Sequence, residues 1–171
     1  MKPFSMRSFL FCRAILAASI LIFLGGAVPG TVGADSGPPP PPEPREKCPV
    51  CGMFVAKYPD WVAVVTFEDG HSVYFDGAKD MFKYLFDVQK YDPSRAAAAV
   101  QQIHVTEYYD TRLIPAKTAF FVVGSDVYGP MGRELIPLAT AADAKTFSAD
   151  HDGRRTLRFG EVTPELIESL D

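Results

Sequence analysis

The chain has 171 residues, 47% hydrophobic and 22% charged, with a formal net charge of −4 at pH 7. Three of its seventeen basic residues lie before Ala34 and all twenty-one acidic ones lie after it, so the remainder carries fourteen basic against twenty-one acidic residues, a net of −7. That balance excludes nucleic acid as a partner, because a phosphate backbone needs cationic neutralisation.

The basic residues of the first stretch are Lys2, Arg7 and Arg13. Ala14 to Leu24 is then apolar, and Gly25 to Ala34 is rich in small residues. This order predicts a secretory signal over residues 1–34, cut near Ala34. The apolar run is shorter than the roughly 20 residues a membrane span needs, so membrane attachment is expected only if the signal is retained as an anchor. Cys12 precedes the apolar run, which does not suit a lipid-accepting cysteine.

Residues 35–46 read as a proline-rich linker. Gly37-Pro38-Pro39-Pro40-Pro41-Pro42-Glu43-Pro44 lacks amide donors and fixes φ, so an extended polyproline spacer is expected. Residues 47–171 then have the length of one ordinary domain.

Within that domain, Trp61 to Phe67 and His71 to Phe75 are β-rich runs around Asp69-Gly70, a type I′ hairpin signal. Asp76 is placed to cap a helix over Gly77 to Phe86, with Ala78, Met81, Phe82 and Leu85 on one stripe. Asp92 to Gln102 is ambiguous, and Ile103 to Tyr109 reads as a strand. Ala119 to Val123 and Asp126 to Tyr128 repeat the strand pair, and Glu134 to Pro137 extends its second strand after an excursion. Thr140 caps a helix through Asp150, with Asp143 at the capping-box position. Arg155 to Phe159 is a strand, and Thr163-Pro164-Glu165 opens a short helix. Both halves, about 47–110 and 111–171, read strand, strand, helix, strand. The expected fold is α+β, two related ββαβ units packed as one domain.

Cys48-Pro49-Val50-Cys51-Gly52-Met53 puts three sulfur side chains within six residues. Soft thiolate and thioether ligands select Cu(I). If the segment is extended, Cys51 and Met53 point the same way. Two other readings stay open: a CxxC thiol–disulfide centre, and an inert pair beside a core methionine. A redox cysteine is activated at a helix N-terminus, whereas here a proline linker precedes the motif. Structural zinc usually wants four ligands, and there is no second CxxC or histidine pair. Met131, between Gly129-Pro130 and Gly132, is offered from a turn and is the natural third sulfur ligand. His71, His104 and His151 read as ordinary polar groups. The carboxylates look scattered and committed to turns and caps. No catalytic constellation is present, so a non-enzymatic role is expected.

Cys51-Gly52-Met53, Phe75-Asp76-Gly77-Ala78-Lys79-Asp80-Met81-Phe82, Ala119 to Ser125 and Gly129-Pro130-Met131-Gly132 resemble, in that order, the NosL family. The similarity spans about Lys47 to Phe159. The resemblance implies two ββαβ units, a single Cu(I) site and periplasmic delivery of copper to nitrous oxide reductase. A copper carrier for a different cuproenzyme is the alternative client reading. The matching ligand positions are Cys51 and Met131, with Met53 beside them; Cys48 is present in only some relatives and is left as ligand, redox partner or neither. The chain departs from the family at two places. It lacks the lipid-accepting cysteine, and it reads Thr106-Glu107-Tyr108-Tyr109-Asp110 where some members have Asn-Asp-Met-Gly.

Overall fold

In the computed structural model of the protein, which describes residues 37–95 and 98–171, the β-rich runs around Asp69-Gly70 form a hairpin. The expectations for residues 1–34 lie outside the described residues, as do Ala96 and Ala97 of the alanine run. Strand β1 (Ala63–Phe67) pairs antiparallel with β2 (Ser72–Phe75), with Ala63 opposite Phe75. The turn is not type I′. Of its residues only Gly70 has positive φ, 83°, and its N–H donates to Phe67 O at 2.9 Å. This is a three-residue connection closed by a left-handed glycine, with the Asp69 side chain accepting the His71 N–H instead.

Helix α1 (Ala78–Phe86) and a short α2 (Val88–Tyr91) lead to β3 (Val100–Thr106), which pairs with the other edge of β1. The strand ends earlier than Tyr109. Glu107 O accepts the Thr111 N–H and the Glu107 carboxylate accepts the Asp110 N–H, so the chain turns back. It returns as β4 (Leu113–Pro115), an unexpected edge strand that completes the order β2-β1-β3-β4.

The second half holds β5 (Phe120–Val123), β6 (Tyr128–Gly129), β7 (Gly132–Arg133), β8 (Ile136–Leu138), α3 (Ala141–Asp150), β9 (Arg155–Arg158) and α4 (Pro164–Glu168). Its main sheet has the order β8-β5-β9, all antiparallel. In both halves the opening strand is central, flanked by its hairpin partner and by the strand after the helix. The α+β fold with two related units therefore stands. The excursion before β8 is the small β6–β7 hairpin, which pairs only with itself.

The core follows from side-chain alternation. Phe121 and Val123 of β5 face a core shared with β1, β2 and α1, while Val122 turns to the other face with Ile136, Leu138, Ala144 and Phe147. That is the period of two expected of a strand covered on both faces. Phe82 of α1 joins the halves, with its ring centroid 5.4 Å from Phe121 and 5.0 Å from Phe159. Thr140 caps α3 as expected, accepting the Asp143 N–H at 3.1 Å. Thr163 caps α4.

Two local expectations are corrected. The proline segment is not a free spacer. Tyr74 donates its hydroxyl hydrogen to Pro40 O at 2.9 Å, and Pro38, Pro39, Pro41 and Pro42 line a cavity with Val62 and Leu113. Proline lacks a donor, but its carbonyl still accepts. Secondly, Asp76 does not cap α1. The helix has no local side-chain cap, and the Lys79 N–H is instead taken by Glu134 Oε1 at 2.6 Å, from the far half of the chain.

Gly77 makes room for that carboxylate, since a Cβ there would run into Glu134 Oε2. Gly77→Ala is expected to push Glu134 off its backbone partners and lower stability by about 1–3 kcal/mol. Gly160→Ala, with nothing within 4 Å of the added carbon, serves as the control. Thermal unfolding of the two variants decides the point, and equal midpoints would show that Glu134 moves aside freely.

Candidate metal centre

The Cys-Pro-Val-Cys-Gly-Met segment is a closed loop rather than an extended strand. Cys48 donates its N–H to Met53 O and Gly52 donates its own to Cys48 O, both at 2.9 Å, and Lys47 bridges to Phe54. Gly52 supplies the positive φ, 78°, that closes the loop. Cys51 and Met53 thus belong to one closed turn and not to an alternating strand.

The loop lies against the junction of β2 and α1. Asp76 follows β2, just before the extended Gly77 that caps α1, and Asp80 lies four residues on in the first turn of the helix. Cys51 Sγ donates to Asp76 Oδ1 at 3.1 Å and Cys48 Sγ donates to Asp80 Oδ2 at 3.3 Å. The ligand atoms of Cys48, Cys51, Asp76 and Asp80 all lie within 4.8 Å of one another. Cys48, Asp76 and Asp80 are buried and Cys51 is half-buried.

Both cysteines are free thiols. Burial pushes the Cys51 thiol up to about 12, and its hydrogen bonds to the carboxylates add to the rise. Cys48 is pushed up further still, mainly by burial, with the charges of Asp80 and Asp76 acting the same way. Protons therefore sit on both sulfurs, and each sulfur donates to an aspartate oxygen. Asp76 Oδ2 is buried and has no hydrogen-bond partner. A buried carboxylate oxygen without a partner is costly, and a cation at this spot would relieve it. The group offers soft sulfur for affinity, with acidic oxygen to attract a cation and receive displaced protons.

Met131 sits at the tip of the β6–β7 hairpin and is 44% exposed. Its carbonyl accepts from Lys79 Nζ at 3.1 Å, which brings the hairpin to the helix turn that carries Asp80. Met53 is half-buried within the cysteine loop. Of the four sulfur residues singled out in the sequence, Cys48 and Cys51 are joined in one cluster, and Met131 is tethered to the neighbouring turn of α1.

The NosL family model matches residues 39–167, most of the chain. The chain belongs to the NosL family. Its similarity to the copper-binding lipoprotein NosL of Stutzerimonas stutzeri is 28% identity over 124 residues, 72% of this chain. The matched stretch spans 65% of that relative's length. The crystal structure of the copper chaperone NosL from Shewanella denitrificans superposes with a TM-score of 0.60 at 25% identity, over 75% of this chain and 99% of that one. The solution structure of apo-NosL from Achromobacter cycloclastes gives a TM-score of 0.44 at 24% identity, over 61% and 87% of the two chains.

In this NosL chain the sequence reading missed Asp76 and Asp80. Far from being scattered, these carboxylates face the cysteines. Their signal was present as two acidic residues four apart around the start of one helix, the first of which reads as its cap. The histidines stand outside the cluster. His151 pairs with Asp126 at 3.0 Å, and His71 is exposed beside the hairpin turn.

Proposed function

We propose that the protein is a periplasmic Cu(I) carrier that supplies copper for maturation of nitrous oxide reductase, and that it acts without catalysis. The observation that carries this reading is the meeting of two free thiols with two buried carboxylates, one of which has an unpartnered oxygen. Family membership and the relatives named for copper binding support the choice of metal and of role. Export rests on the basic, apolar and small-residue order of residues 1–34. No helix among the described residues is long and apolar enough to cross a membrane.

In this reading copper is cargo. Cys51 Sγ, the less buried sulfur, gives up its proton to the Asp76 side or to water and binds Cu(I) as thiolate. Thioethers from Met53 and Met131 complete a soft, open set, and Cys48 lies beneath as a reserve thiol. A half-exposed site with few anionic ligands holds the ion yet lets a client's thiolates or imidazoles take it by exchange.

The test is a Cu(I) titration of the reduced protein against a chromophoric chelator, with Zn(II) in parallel. Competition for Cu(I) and not for Zn(II) is expected; a preference for Zn(II) would sink the reading. The same titration has a pH signature. The Cys51 thiol is held up to about 12, so protons compete with copper throughout the neutral range. Affinity should therefore rise about tenfold per pH unit for each thiol proton displaced. A slope of one is expected, after correction for the chelator, because Cys51 alone is released. A slope of two would make Cys48 a second thiolate ligand, and a flat profile would exclude thiolate binding.

The CxxC spacing with both thiols free favours one rival, a thiol–disulfide oxidoreductase. Disulfide exchange is carried by a thiolate, and both sulfurs here are held in the thiol form. Insulin reduction that persists undiminished in Met131→Ala would decide for the rival.

A further inference from the structure

We propose that Lys79 is a positioning residue that fixes the Met131 thioether over the metal centre. The inference rests on the reading of Met131 as a copper ligand. Lys79 is 2% exposed, and a buried ammonium persists only where its three N–H donors find acceptors. Here Nζ donates to Met131 O at 3.1 Å and to Leu170 O at 3.3 Å, and it pairs with Asp171 Oδ1 at 3.3 Å. The backbone N–H of the same residue donates to Glu134 Oε1 at 2.6 Å, and that oxygen also accepts the Leu135 N–H at 2.8 Å.

One residue therefore holds the β6–β7 hairpin at two points: its tip through Met131 O, and the chain just after β7 through Glu134. The hairpin needs such an anchor. Its strands are two residues each and join neither of the larger sheets, and an isolated hairpin is marginal on its own. Gly129 packs against the Glu134 side chain and Trp61. Gly132, at φ 89°, supplies the left-handed backbone beside Met131. The ammonium grips the carbonyl of Met131 and leaves its side chain uncommitted, so the backbone is fixed while the thioether stays half-exposed. The residue after Lys79 is Asp80, the acceptor of the Cys48 thiol. A single turn of α1 thus sets the spacing between the thiol pair from one half of the chain and the thioether from the other.

A role limited to fold stability is separated from positioning by a double-mutant cycle on Cu(I) competition constants: the parent, Lys79→Met, Met131→Ala and the double variant. Each single substitution is expected to weaken binding about tenfold. The double variant should match Met131→Ala within about twofold, because a thioether that has already been removed cannot be displaced again. X-ray absorption on the copper-loaded variants should show the same loss of one sulfur neighbour in Lys79→Met as in Met131→Ala. In the metal-free protein, the methyl resonance of 13C-labelled Met131 should move and sharpen in Lys79→Met.

Multiplicative losses in the double variant, or an unchanged sulfur count in Lys79→Met, overturn the positioning role and leave the copper reading standing. If Met131→Ala binds copper like the parent, the ligand reading of Met131 fails and this proposal fails with it. Should Lys79→Met not fold, Lys79→Gln takes its place in the cycle, keeping an amide donor on a chain one bond too short to reach Met131 O.

Discussion

Cys51→Ser is expected to weaken Cu(I) binding on the order of a hundredfold or more, the largest loss of any single substitution at the centre. A thiolate neutralises the cation and shares soft electron density with it, while a serine hydroxyl does neither. The replacement keeps a hydrogen-bond donor toward Asp76 Oδ1, now 3.1 Å from the cysteine sulfur, so the loop and the helix start should hold and the loss should be one of ligation. Cys48→Ser is expected to cost far less, about tenfold at most. Cys48 is the more buried of the two, its thiol is raised further, and its proton is committed to Asp80. It is the harder sulfur to ionise. Competition constants for the two variants under reducing conditions give the answer. Equal losses would mean a two-thiolate site, whose extra negative charge suits retention of copper better than its transfer.

The parts of the fold legible in the sequence were those set by local periodicity. Ala78, Met81 and Phe82 are buried in α1, and Leu85 packs beside them, because a stripe at helical spacing has one way to meet a core. Thr140 and Thr163 cap their helices because the cap bond reaches only three residues ahead.

What escaped the reading depends on groups distant in the chain. Asp76 looked like a helix cap because Asp before an apolar stripe usually is one. Cys51, twenty-five residues earlier, claims one of its oxygens instead, and Glu134 takes over the helix start. The Asp80–Cys48 and Lys79–Glu134 contacts likewise cross between segments with no local signature of their meeting. Leu113–Pro115 was too short and too proline-bound to read as a strand, yet an edge strand tolerates a proline. The soft residues of the site announced themselves by being unusual. Its charged residues did not, because their types are common on any surface.

Phe82→Ala is expected to lower stability by about 3–5 kcal/mol, the largest loss from a single truncation in the core. The ring is buried and lies between Phe121 of the second sheet and Phe159 after β9, while its helix packs on the first sheet. Removing it opens a cavity at the seam between the two ββαβ units, where neither sheet can collapse without pulling α1 away from the other. Phe86, one helical turn on, stacks on Phe82 at 6.0 Å but is 42% exposed. Phe86→Ala should therefore cost less, about 1.5 kcal/mol, since only part of its surface leaves water on folding. Urea unfolding followed by fluorescence and by far-ultraviolet circular dichroism tests both values. The two probes should remain coincident in Phe82→Ala, since the halves share one core and unfold as one unit. Two separated transitions would mean that each ββαβ unit folds alone and that Phe82 only joins them. A loss no larger than that of Phe86→Ala would remove Phe82 from its place as the seam. The outcome bears on the metal centre as well, because the helix that Phe82 anchors carries Lys79 and Asp80, and a looser α1 would release copper sooner even with every ligand in place.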